Sequence, residues 1–299
     1  GFNFILSAHM EQTTNFSRII SGAMTWGSWG KKLFKKEMIE LMHHSIECGL
    51  TTFDHADIYG SYSTEADFGE AFGDSGIKRE NIQLITKCGI QLTRGRDNRI
   101  NHYQYDKDYI IWSAEESLRK LKTDYLDFFL MHRPSPLMEP VEMAEAGQQL
   151  LQSGKIKQFG VSNFTPSQVA MLETAIPVKG NQVEFSLTHR DPMYDGTFDD
   201  CIANKRMPMA WSPLGSFFRE TDEQAARIKE AMGPLLDKYD ADENQLLLAW
   251  ILKHPAKVHP VIGTTNKKRM ELAAEASKIE LELQDWFTLL VAGQGHDVP

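Results

Sequence analysis

The sequence predicts a single (β/α)8 barrel of the TIM type, and three observations predict it. Eight short runs rich in β-forming residues recur along the 299-residue chain, with helically spaced stretches between them. The strands return at intervals of roughly 20–50 residues, a spacing that implies parallel pairing through helical crossovers. No run of Gly, Ser or Pro divides the chain into halves, and the glycines of "GAMTWGSWG" (22–30) have the wrong spacing for a dinucleotide-binding turn after the first strand. A doubly wound fold and a P-loop are therefore disfavoured. Eight βα units in about 290 residues is the arithmetic of a (β/α)8 barrel.

The elements follow in order. "RIISGAM" (18–24) reads as the first strand. Residues 35–48 carry Met38, Leu41, Met42 and Ile46 at helical spacing, and Gly49 is placed to stop that helix. "LTTFD" (50–54) is a strand, and Thr64 opens a short helix over 64–72. "NIQLITKCG" (81–89) is the third strand; Asp106 caps a helix over 106–122 whose apolar face is Ile110, Ala114, Leu118 and Leu121. "DYLDFFLMH" (124–132) is followed by a helix over 139–153 that Gly154 ends. "KIKQFGVSN" (155–163) precedes a helix opened by Pro166. "VKGNQVEFS" (178–186) and "MPMAWSPL" (207–214) are the sixth and seventh strands. Helices over 223–238 and 241–253 lead to the eighth, "VHPVIG" (258–263), and a last regular helix is expected over 267–278, capped by Asn266.

Composition bounds the function. The formal net charge is −9, from 41 acidic and 32 basic residues. An acidic surface argues against general nucleic-acid binding, which needs clustered cations. No apolar run approaches the ~18 residues of a membrane span. Cys48, Cys88 and Cys201 are odd in number and far apart, which fits a reducing cytoplasm and no disulfide framework. Cys88 is read as a small buried hydrophobe. No His and Cys spacing suits a metal, and the adjacent His43 and His44 are read as surface residues. Residues 1–9 look like an expression-tag remnant, with the barrel domain over 10–299.

In such a barrel the site lies at the C-terminal ends of the strands. Those ends carry Asp54 and Tyr59, then Lys87, His132, Ser162 with Asn163, and Gln182 with Glu184. These groups are costly to bury alone, and one barrel mouth lets them partner one another. Their types suggest chemistry. A phenol is a poor acid near neutrality, a nearby ammonium lowers its pKa, and Asp54 can hold Lys87 by an ion pair. His132 can donate to a carbonyl oxygen, and Ser162, Asn163 and Gln182 can bind a carboxamide. Together they would protonate and polarise a C=O group that receives hydride.

At this point the chain resembles the aldo-keto reductase family. "FDHADIYG" resembles that family's F-D-x-A-x-x-Y-G signature, "TKCG" and "MHRP" supply its lysine and histidine, and "GKIKQFGVSNF" (154–164) resembles its second signature. "NQVEFS", "WSPLG" (211–215) and "VIGTTNKKRM" (261–270) resemble its later motifs, so that the similarity covers residues 16–280. The resemblance implies a bacterial NADPH-dependent reductase with catalytic Asp54, Tyr59, Lys87 and His132. It implies NADP(H) held by Gly22, Met24, Ser162, Asn163, Gln182, Trp211, Ser212, Leu214, Gly263, Thr264 and Arg269. Two positions depart from the family pattern: Trp211 stands where a stacking tyrosine is usual, and Gly263 where many members carry lysine. A short tail after Trp286 implies an open, poorly selective pocket.

Plainer readings apply elsewhere. His55 and Asp57 are expected to be hydrogen-bonding supports. Met24, Trp26, Tyr103 and Phe217 line a pocket or fill the core. The basic "NKKR" (266–269) is better explained by a phosphate at a helix N-terminus than by nucleic acid. A plain salt bridge with Asp54 is the structural reading of Lys87. The expected partner is a small-molecule carbonyl compound, with no nucleic acid and no membrane, in a cytoplasmic protein whose oligomeric state the sequence leaves open, a monomer being favoured. The competing reading is a non-catalytic NADP(H)-sensing or partner-binding member of the same fold.

Overall fold

The computed structural model describes residues 15–299, so the expected tag remnant over 1–9 lies outside the described residues. Eight parallel strands close into a barrel. They are β1 (Ile20–Gly22), β2 (Thr52–Asp54), β3 (Gln83–Cys88), β4 (Phe128–Met131), β5 (Phe159–Ser162), β6 (Gly180–Glu184), β7 (Met207–Trp211) and β8 (His259–Ile262). Each pairs with its sequence neighbours, and β1 closes on β8 through Ile20 opposite Val261. The strands are shorter than the sequence runs because pairing ends where the polar residues of the loops begin.

Side chains fill the barrel. Phe16, Ile20, Ile85, Phe128, Leu130, Met207, Met209 and Val261 form the interior cluster. Phe128 fits because β5 and β6 leave it room: a Cβ on Gly160 would come within 2.6 Å of its ring, and one on Gly180 within 2.8 Å. Burying such a phenylalanine contributes about 1.5–3 kcal/mol. Residues two positions further along each strand then project inward at the mouth, which is how Lys87 comes to lie above Ile85.

The outer helices form where the sequence pattern places them, and for the expected reasons. Lys35–Glu47 buries Met38, Leu41, Met42 and Ser45. Asp106 accepts from the Tyr109 N–H to cap Lys107–Leu121. Thr165 and Gln168 form a capping box around Pro166–Glu173. Three elements depart from the expected pattern. A further helix, Leu283–Gln294, follows the one expected to be last, burying Leu289, Leu290, Ala292 and Gly293. Thr197–Asn204 is a short helix between β6 and β7, anchored by Phe198 and Cys201. A two-stranded hairpin, Ile90–Gln91 with His102–Tyr103, leaves the mouth after β3. The hairpin and Thr197–Asn204 are too short to stand out, and Leu283–Gln294 lies beyond the eight βα units that the barrel requires. His44 is not a free surface residue: its ring bonds the Lys267 carbonyl at 2.9 Å, joining two helices. Among the described residues no helix is long and apolar enough to cross a membrane, and no cluster of His, Cys, Asp and Glu is placed to hold a metal.

Candidate active site

The barrel mouth assembles the predicted polar residues into one hydrogen-bonded chain. Lys87 ends β3 pointing inward and is only 1% exposed. Its ammonium donates to Asp54 Oδ2 at 2.8 Å, to the His55 carbonyl at 2.7 Å and to the Tyr59 hydroxyl at 3.3 Å. All three of its protons are thereby used. The other oxygen of Asp54 accepts from Gln182 Nε2 at 2.9 Å. Ser162 Oγ donates to the Gln182 carbonyl at 2.7 Å, and Asn163 Nδ2 donates to Ser162 Oγ at 3.2 Å and to the His132 carbonyl at 3.0 Å. Asn163 Oδ1 accepts from the Trp211 indole N–H at 2.9 Å.

Local backbone geometry presents these groups. Tyr59 opens a tight turn in which Gly60, Ser61 and Tyr62 all have positive φ, at 65°, 53° and 71°. Side-chain-bearing residues rarely adopt that conformation. Gly60 is required there, since a Cβ would lie 2.4 Å from Thr64 Oγ1. Asn163 (φ 62°) and Ser212 (φ 49°) are left-handed where β5 and β7 end. The Tyr59 and His132 rings meet edge-on, with centroids 6.5 Å apart. Trp29 lies over the other side of Tyr59, 6.2 Å between centroids, with its N–H directed to Ser61 Oγ.

Burial sets the protonation states. It raises the Tyr59 phenol above 10; the Lys87 charge pulls the other way without overcoming it, and Asp54 adds to the rise. This corrects the expectation of a depressed phenol: the hydroxyl stays protonated at neutral pH. Burial alone would lower Lys87, yet Asp54 and Tyr59 hold its pKa above 10.5, so it stays charged. The His132 ring sits among protein atoms while part of the residue stays open to the mouth. Burial first, then the Lys87 and Arg133 charges, push it well below 6.5, so the ring is neutral. Its Nδ1 is buried without a partner, and among the described residues no group bonds Nε2.

His55 supports Lys87 through its backbone carbonyl, whereas neither the His55 ring nor the Asp57 carboxyl is the hydrogen-bonding support expected. Among the described residues both ring nitrogens of His55 are buried without a hydrogen-bond partner, and the Asp57 carboxyl is buried with no side-chain partner and only a weak backbone contact from the Ile58 N–H. His55 packs edge-on against Phe68, 4.3 Å between centroids. Burial lowers His55 to about 3. Burial, with the nearby Glu65 charge, raises Asp57 to about 8. Glu65 itself, which the sequence did not single out, is a buried acid taking hydrogen bonds from Thr86 and Ser117. Burial also pushes the Cys88 thiol well above 9, leaving it inert.

The remaining candidates separate into mouth and core. Trp26 is core, packed against Phe53 and Phe68, and Phe217 is buried, whereas Met24 (46% exposed) and Tyr103 stay open. Gly22 lies in β1 against Val261 and Ile262. Leu214 packs partly against the outer apolar layer. Thr264 accepts from the Asn266 N–H at 3.1 Å, and Asn266 caps the helix Lys267–Glu275 by accepting from the Arg269 N–H at 2.9 Å. The Arg269 guanidinium has no ion pair or hydrogen bond among the described residues. Gly263 accepts from Thr25 Oγ1 at 2.6 Å.

The sequence pattern of the Aldo/keto reductase family matches residues 18–289. The chain belongs to the aldo/keto reductase family. It is accordingly an oxidoreductase with the family's (β/α)8 fold. It is 40% identical to the "Uncharacterized oxidoreductase YcsN" of Bacillus subtilis (strain 168), over 97% of this chain and 98% of that protein. It is 38% identical to a 6-dehydroglucose reductase of Agrobacterium fabrum, over 84% of this chain and 85% of that one. The crystal structure of an aldo-keto reductase from Klebsiella pneumoniae in complex with NADPH superposes with a TM-score of 0.75 at 26% identity, covering 92% of this chain and 90% of that one.

Proposed function

We propose that this aldo-keto reductase reduces aldehydes and ketones to alcohols with NADPH, and that Tyr59 is the general acid. The observation that carries the reading is the buried Lys87 ammonium placed between Asp54 Oδ2 and the Tyr59 hydroxyl. The residues fit the cofactor. Asn163 and Gln182 supply amide groups for a carboxamide, the half-buried Trp211 indole supplies a flat apolar face, and the free Arg269 guanidinium at a helix N-terminus suits a 2′-phosphate. Bound NADPH supplies the hydride.

The protein groups handle the oxygen. His132, neutral, donates from Nε2 to the carbonyl oxygen and fixes its direction. Tyr59 gives its proton to that oxygen as negative charge develops there. The phenolate left behind is stabilised by Lys87, whose own charge is held in place by Asp54. Protonated acid, charged lysine and neutral histidine are the states that burial and partners already favour. Positioned proton transfer of this kind contributes about 10²–10⁴ in rate.

The test follows nicotinamide absorbance while the protein is mixed with NADPH and reactive aldehydes, among them aromatic and sugar-derived ones. The second group is included because a relative is a 6-dehydroglucose reductase. Turnover lost in Tyr59→Phe supports the reading. Quenching of Trp211 fluorescence by NADPH with no turnover of any aldehyde would favour the non-catalytic sensing role.

A further inference from the structure

Arg133 follows His132 at the mouth and has no role in the chemistry described above. Its backbone is clamped by Tyr105: the Tyr105 hydroxyl donates to the Arg133 carbonyl at 2.5 Å and accepts from the Arg133 N–H at 3.1 Å. Tyr105 is itself buried and fits only because Gly89, at φ +115°, lacks a side chain; a Cβ there would come within 2.2 Å of the tyrosine ring. The Gly89–Tyr105 pair thus fixes where the arginine side chain starts.

The guanidinium lies 6.0 Å from the centre of the Trp211 ring, and its charge reaches the His132 ring. It is half-buried and forms no hydrogen bond or ion pair among the described residues. That is unusual in a chain with 41 acidic residues. The other half-buried or buried arginines all have acceptors: Arg79 pairs with Asp127 at 2.7 Å and Arg206 with Glu173 at 2.7 Å and Asp200 at 3.0 Å, while Arg18, Arg96, Arg190 and Arg227 donate to carbonyl or side-chain oxygens. A partly desolvated cation with no anion beside it is costly, and a planar guanidinium matches carboxylate and phosphate oxygens in pairs. Across the mouth, Trp29 and Met24 offer apolar surface.

We propose that Arg133 is the specificity-determining residue of the substrate pocket, and that it selects carbonyl compounds bearing a carboxylate or phosphate group on an apolar body. This rests on the reductase reading above and narrows its substrate class.

The test compares para-carboxybenzaldehyde with para-tolualdehyde, which has nearly the same shape and no charge, using the full chain with NADPH. Wild-type kcat/KM should favour the carboxylate. Arg133→Gln should lower kcat/KM for the carboxylate by about 10–100-fold, the worth of one charge-assisted contact, and leave the neutral aldehyde unchanged. Arg133→Lys should keep part of the preference, because charge remains while paired geometry is lost. Equal loss on both aldehydes, or no wild-type preference, overturns the proposal. A fall in NADPH affinity in Arg133→Gln also overturns it, because the anion recognised would then be a phosphate of the cofactor. Binding of para-carboxybenzyl alcohol to the NADP+ complex, read by tryptophan fluorescence, gives an answer without turnover. If neither aldehyde is reduced, the reductase reading fails; weaker alcohol binding in Arg133→Gln then still supports the anion site, and unchanged binding sinks it.

Discussion

Gln182 Nε2 donates a 2.9 Å hydrogen bond to Asp54 Oδ1, between residues 128 positions apart in sequence. The other oxygen of the same carboxylate holds Lys87. One buried side chain therefore joins the proton-donating group on β2 and β3 to the carboxamide-binding group on β5 and β6. Neither group can be altered at Asp54 without disturbing the other.

Tyr59→Phe should reduce kcat by about 10²–10⁴ and leave NADPH affinity nearly unchanged, since the hydroxyl acts on the carbonyl. More than a tenth of wild-type kcat remaining would remove Tyr59 as the donor. Lys87→Met removes the charge that pulls the phenol down. The high-pH limb of its residual activity should therefore move upward, alongside a large fall in kcat. A limb that stays in place in a pH–rate profile would mean that the phenol does not control it.

Cofactor preference should depend on Arg269. Its loss in Arg269→Ala should weaken NADPH binding by about 10-fold, the lower end for a charge-assisted contact, and change NADH binding little. Equal losses for both cofactors would show that the guanidinium stacks on adenine instead. Gly263→Lys is a complementary gain: no atom lies within 4 Å of a Cβ built there. The added cation should raise the NADPH-to-NADH affinity ratio, and titration of both cofactors measures it.

Trp211 should do two separable things, stacking on the nicotinamide and fixing Asn163 through its N–H. Trp211→Phe keeps a flat ring and loses the hydrogen bond. NADPH affinity should fall while hydride still leaves from a single face, the pro-R face if the family resemblance extends this far. Deuterium transfer from both faces in the wild-type protein would refute the stacking arrangement.

Stability should respond to pH through Asp57 and His55. Asp57 has a folded pKa of about 8 against an ordinary 3.8. Between those values the folded state holds a proton that the unfolded chain has lost, so stability falls as pH rises. His55, at about 3 against 6.5, acts oppositely: the unfolded chain takes up the proton, so stability rises with pH up to 6.5. From pH 6.5 to 8 Asp57 acts alone of the two. Asp57→Asn should flatten the loss of Tm over that window and raise Tm at its upper end. A wild-type Tm that is level from 6.5 to 8, or an unchanged slope in the variant, would contradict a buried protonated carboxyl.

The sequence by itself determined the barrel, because period and spacing are local: Met38, Leu41 and Met42 mark one helix face, and Asp106 and Asn266 mark helix starts. It also placed Asp54, Tyr59, Lys87 and His132 at one barrel mouth, because chemically costly residues fell at successive strand ends. What only the tertiary structure decided concerns pairs brought together from distant strands. The Gln182–Asp54 bond, the Trp211–Asn163 bond and the placing of Arg133 between His132 and the Trp211 ring have no signature in spacing. Protonation was decided there too. A lysine near a tyrosine suggested a depressed phenol, but the balance lies with burial, and burial is a property of the closed barrel. His55 and Asp57 likewise read as polar supports, but burial in the closed barrel, with the His55 ring packed against Phe68, makes one a neutral ring and the other a protonated acid.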